Sequence, residues 1–94
     1  MWVDEVVRRR PEGPVVVRGF LLAQSGRPVL LCHELLESYP PQCGGTSLVV
    51  EGIDLKSIPA LQEAGGVLWS AQPVEIEGTM RRGVLYVAPG GSHP

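Results

Sequence analysis

The stretch Val74-Glu75-Ile76-Glu77-Gly78-Thr79-Met80-Arg81-Arg82-Gly83-Val84-Leu85-Tyr86-Val87 decides the fold class. Its first five residues alternate apolar and charged with a period of two, the pattern of a strand with one buried and one wetted face. Arg81-Arg82-Gly83 then interrupts the run with a glycine free to take positive φ, and 84–88 returns as a second strand. A closing hairpin is therefore expected, followed by a frayed tail over 89–94.

Working back from this hairpin, Ser57 can cap a short helix that runs through Pro59, Leu61 and Ala64 and stops at Gly65-Gly66. Val67 to Ser70 leads into Pro73. Residues 46–53 are rich in β-branched side chains and read as a strand. Residues 29–33 read as another, and 34–38 either continue it or coil into a helical turn. Tyr39-Pro40-Pro41-Gln42-Cys43-Gly44-Gly45 is expected to be a loop throughout, since two prolines and two glycines exclude a ladder. The aromatic before Pro40 admits a cis peptide bond, with trans the expected form. Residues 15–24 form the first strand, where Gly19 marks a bulge or sharp bend of the kind small barrels need. Ser25-Gly26-Arg27-Pro28 is a turn. Residues 2–10 can form one or two helical turns with Val3, Val6 and Val7 on one face, ended by Pro11-Glu12-Gly13-Pro14.

Three strands, a short helix and a two-stranded hairpin is the element order of an OB-like fold. The expectation is a mainly β, five-stranded Greek-key barrel with its helix between strands three and four, preceded by an N-terminal helical turn. A β-sandwich fragment or an SH3-like barrel is the structural alternative, and the helix before the final hairpin favours the OB order. The 94 residues make a single domain: an N-terminal segment (1–13), a barrel (14–88) and a tail (89–94).

Composition agrees. Hydrophobic residues make up 44% and charged residues 19%, which is globular rather than disordered. Twelve glycines and nine prolines suit short strands and many turns better than long helices. The formal net charge of −2 lacks the basic surplus with which nucleic-acid binders neutralise phosphates. Asp4, Glu5 and Glu12 flank and offset Arg8-Arg9-Arg10. No apolar run reaches the length of a transmembrane helix, and residues 1–5 lack the features of an export signal. A cytoplasmic protein is expected, or an exported one if a leader precedes this chain.

The stretch Leu31-Cys32-His33-Glu34-Leu35-Leu36-Glu37-Ser38-Tyr39-Pro40-Pro41-Gln42-Cys43-Gly44-Gly45 resembles a motif of small, uncharacterised bacterial proteins. These run a valine-rich strand into a Leu-Cys pair, then a Glu-Ser-aromatic-Pro-Pro-Gln-Cys-Gly loop, a Gly-hydrophobic-Asp segment and a terminal hairpin. Here 15–19, 52–55 and 74–87 occupy the corresponding places, so the resemblance spans most of the chain. Some of these proteins are exported or lipid-anchored. The resemblance carries no activity over to this chain.

The chemistry-bearing residues are few. Cys32 and Cys43 are the only cysteines. The intervening residues can curve back and bring the two Cβ atoms within bonding reach, or the two can stay separate small apolar side chains, as in a reducing cytosol. Cys32, His33 and Cys43 do not make a metal site. Neighbours on a strand point to opposite faces, and neither CxxC nor HxxxH spacing occurs. Glu75 and Glu77 share a strand face but read as its solvated side, and Glu34 and Glu37 are similar. With only His33 and His93 as histidines, no nucleophile, base and orienting group can be assembled. No P-loop or GxGxxG is present. Neither an enzyme nor a cofactor is expected.

A non-catalytic binding or interaction module follows, with Tyr39, Pro40, Pro41, Gln42 and Gly44 as the candidate binding loop, since costly loop residues often serve a site. The same residues could equally serve to stiffen the barrel. The partner would be another protein, or a second copy paired through a strand edge. The alternative is weak binding of single-stranded nucleic acid, in which Arg18, Arg81 and Arg82 would contact phosphates and Phe20 and Tyr86 would stack on bases. Against it, Phe20 and Trp69 can plug the barrel and the arginines can be solvated.

Overall fold

A computed structural model of the chain describes residues 1–87, and the expected tail and His93 lie outside the described residues. The fold is mainly β. One short helix, α1 (Val3–Arg9), precedes seven strands: β1 (Gly13–Gln24), β2 (Val29–Leu36), β3 (Gln42–Glu51), β4 (Leu61–Ala64), β5 (Val67–Ser70), β6 (Val74–Arg81) and β7 (Val84–Tyr86). A single 3₁₀ turn, Leu55–Ser57, follows β3 and is held by Asp54, whose Oδ1 accepts the Lys56 N–H at 3.0 Å.

All seven strands belong to one sheet, in the order β2-β3-β7-β6-β1-β5-β4, with β2 also paired to β1. That extra pairing makes the ladder return to its start: β1 to β2, β2 to β3, β3 to β7, β7 to β6, and β6 to β1. The β3–β7 pair is parallel and the others antiparallel. The β4–β5 hairpin hangs from β1 outside this ring, with Leu22, Ala23 and Gln24 opposite Trp69, Leu68 and Val67.

The hairpin replaces the helix expected from Ser57 to Ala64. Gly65 and Gly66, read from sequence as a helix stop, have φ of +58° and +78°. They form the two-residue connection between Ala64 and Val67, the geometry of a type I′ turn, whose twist matches that of antiparallel strands. Leu61-Gln62-Glu63-Ala64 has no strong strand preference of its own. Pairing with β5 imposes the extended form, as tertiary context commonly does.

The expected loop over 39–45 is shorter than the sequence suggested. Gln42, Cys43 and Gly44 pair with Leu36, Leu35 and Glu34, which leaves 37–41 as the connection. Glycine keeps its N–H, so it weakens a ladder without forbidding one, and here the Leu36 side chain packs over Gly44. The Tyr39–Pro40 peptide is cis, not the expected trans.

Two apolar clusters lie on the two sides of β1 and β2. The ring encloses Val17, Leu21, Leu31, Leu48, Val50, Ile76, Met80 and Leu85, and α1 adds Val3 and Val6 to the same cluster. The N-terminal segment thus contributes to the core through one face of α1. A second cluster joins Leu22, Cys32, Val67 and Trp69, with Phe20, Leu30, Leu35, Cys43 and Ala64 packed against it. Phe20 and Trp69 belong to this second cluster and not to the first, whose side chains are Val, Leu, Ile and Met, so they do not take the plugging role that the sequence allowed them. Burial on both faces explains why Phe20-Leu21-Leu22-Ala23 and Val29-Leu30-Leu31-Cys32 read as unbroken apolar runs. β6, covered on one face only, keeps its alternation: Ile76 and Met80 are buried, Glu75 and Glu77 exposed.

Gly19 is where β1 changes partner. Its register with β6 runs unbroken from Gly13 to Gly19, and pairing with β5 begins at Leu22. In between, the Ser70 hydroxyl accepts the buried Leu21 N–H at 2.9 Å and fills the gap in the ladder. A Cβ on Gly19 would stand 2.6 Å from Val3 Cγ2 and 2.8 Å from the Cys32 backbone oxygen. Gly19→Ala is expected to cost about 1–3 kcal/mol, because one of the crowded atoms is backbone. Urea unfolding measures this, and a loss below about 0.5 kcal/mol would mean that α1 and β2 yield freely.

Candidate functional site

The candidate loop closes β2 onto β3. Ser38 Oγ donates to the Pro40 carbonyl at 3.0 Å, and the Ser38 N–H donates to the Leu36 carbonyl at 2.9 Å. At its apex Tyr39 is 82% exposed, yet its ring meets Trp69 edge-on with centroids 6.0 Å apart. Trp69 itself is buried, on β5. Leu36, at the end of β2, is 49% exposed. Pro40 and Pro41 are half-buried and Gln42 is exposed, while Gly44 is buried in the ladder. The structure thus gathers Leu36, Tyr39 and the prolines at one tip and assigns Gly44 to the strand beneath it.

Below the tip, Cys32 and Cys43 stand at disulfide distance, with Cα atoms 5.3 Å apart, inside the usual range for a bridge. Cys32 is fully buried and Cys43 partly so. Between them the register shifts: His33 lies opposite two residues of β3, Gly45 and Thr46, in a bulge. His33 Nδ1 and Thr46 Oγ1 are both buried there without a hydrogen-bond partner. Trp2 packs edge-on to His33 at 5.9 Å.

The five candidate nucleic-acid residues fall into two groups. Arg18 and Phe20 lie on β1, with the Arg18 guanidinium 5.2 Å from the centre of the Trp2 ring. Arg81, Arg82 and Tyr86 belong to the β6–β7 hairpin, with the Arg81 guanidinium 5.9 Å from the centre of the Tyr86 ring. Arg18 is in register with Glu75, so Arg81 lies six residues further along β6, on the order of 20 Å away. Glu75 and Glu77 are exposed on the strand between them. Arg18 and Arg81 thus stand apart, each over its own aromatic ring, with carboxylates on the strand between them.

Two outcomes are expected. Without reductant, the unfolded protein should leave both cysteines unlabelled by a thiol alkylator, and Cys43→Ala should lower stability by about 2–3 kcal/mol, the entropy of a loop this short. Labelling of both would remove the bridge. In fluorescence anisotropy at low salt, short oligonucleotides should show no association that weakens with salt. Three phosphate contacts would instead give a log–log salt slope of about −2.

The chain matches no protein-family model, no curated protein and no solved structure.

Proposed function

We propose that this chain is a non-catalytic binding module, an OB-like barrel that presents residues 36–41 as a preformed apolar tip to a protein partner. The closed cycle β1-β2-β3-β7-β6, with its parallel β3–β7 pair, supports the OB-like Greek-key assignment. The β4–β5 hairpin stands where such a barrel carries its helix.

One observation carries the functional reading: Tyr39 is almost fully exposed and yet held against Trp69. Large exposed aromatics with few rotatable bonds and a fixed base lose little freedom on association, which is why tyrosine is enriched at binding hot spots. The β2–β3 ladder and the cysteine pair beneath the tip supply that fixed base. The cysteine pair also supports an oxidising compartment over the reducing cytoplasm. No helix among the described residues is long and apolar enough to cross a membrane.

Peptides selected from a random display library on the oxidised protein test the reading. Those that bind should lose at least about tenfold in affinity for Tyr39→Ala, roughly 1.4 kcal/mol, with the fold unchanged by circular dichroism. Peptides that bind wild type and Tyr39→Ala alike would place the binding surface elsewhere.

A further inference from the structure

A second site lies away from the tip. Where α1 ends, the chain turns through Pro11 and Glu12 into β1, and this corner faces β3 and the β6–β7 turn across a cleft of about 530 Å³. That size suits a small ligand. Val6, Leu48 and Met80, all buried core residues, reach its lining, with Val7 beside them. Arg10 and Arg82 also line it.

These two arginines differ from the other arginines near the helix and the last hairpin. Arg8 and Arg9 are paired to Asp4 and Glu5 one turn away, and Arg18 and Arg81 lie over aromatic rings. Among the described residues, neither Arg10 nor Arg82 has a carboxylate or ring partner for its guanidinium. Both also occupy left-handed backbone, each with φ of +51°. Arg10 ends α1, and Arg82 is the first residue of the two-residue β6–β7 turn. Glycine or asparagine would suit both positions better. Two long cationic side chains are thus kept at unfavourable positions, from opposite ends of the sequence, around one apolar floor. Backbone outliers of this kind gather at ligand sites. Glu12, the acidic residue of the lining, has Oε2 occupied in accepting the Arg82 N–H at 3.2 Å, which fixes the turn.

We infer that the Arg10–Arg82 cleft binds a small amphiphile, with its anionic head on the two guanidiniums and a short apolar chain over Val6, Leu48 and Met80. Guanidinium pairs suit planar carboxylates and phosphates alike. The site is independent of the Tyr39 tip.

The test is an NMR titration of the intact, oxidised protein with octanoate, octyl phosphate and octylammonium. Saturable shifts of the backbone signals of Val6, Leu48, Met80 and Gly83 with either anion, and not with octylammonium, are expected. The two anions separate a carboxylate head from a phosphate head. The double variant Arg10→Gly/Arg82→Asn preserves left-handed backbone at both sites, and its spectrum should remain that of the folded protein while affinity falls at least tenfold. Absence of saturation by either anion up to about 10 mM, a range covering affinities weaker than millimolar, would overturn the proposal. So would equal binding of octylammonium, or undiminished binding by the double variant.

Discussion

The whole architecture rests on β1 being hydrogen-bonded along both of its edges. β6 and then β5 take one edge, while β2 takes the other at Phe20–Leu22. If β1 and β2 did not pair, the remaining strands would form an open sheet and the aliphatic filling would have one face in water. Closure requires the two backbones to approach closely, and Gly19 is the position with room for that approach. Residues 1–2 complete the arrangement: the Arg18 N–H donates to the Met1 carbonyl at 2.7 Å, and Met1 N donates to the Val16 carbonyl at 2.9 Å.

Closing the ring also creates the second cluster. Successive side chains of a strand point to opposite faces, so the residues of β1 and β2 that point away from the first cluster must find other cover. Leu22, Leu30 and Cys32 find it under Trp69 and the β2–β3 connection. The tip that carries Tyr39 is therefore anchored in a small core of its own, outside the ring. The Arg10–Arg82 cleft draws instead on the first core, through Val6, Leu48 and Met80. The two sites rest on different clusters, so substitutions at one can leave the other intact.

Parts of this were legible in the sequence because local pattern and tertiary role coincide there. The alternation from Val74 to Gly78, the turn at Gly83 and the valine-rich start of β1 are such cases. The β4–β5 hairpin was not legible: Ser57, Pro59 and Gly65-Gly66 spell helix signals, and only the company of β1 makes 61–64 a strand. Nor was the ladder through Cys43 and Gly44, since its partners Leu35 and Glu34 lie in a stretch with no clear period. The arginine cleft is invisible in one dimension. Arg10 reads as part of a charge run and Arg82 as a turn residue, and only the fold places them around the same floor.

Closing the sequence of pairings leaves each strand of the ring with a neighbour on both sides over part of its length, and this bears on colloidal behaviour. Among the described residues, β4 is the strand paired on one side only. It is four residues long, follows Pro59-Ala60, and carries exposed Gln62 and Glu63 at its centre. A template so short and polar gives foreign strands little purchase. In a chain of which nearly half the residues are apolar, the brevity and polarity of β4 thus work against amyloid-like stacking at that edge.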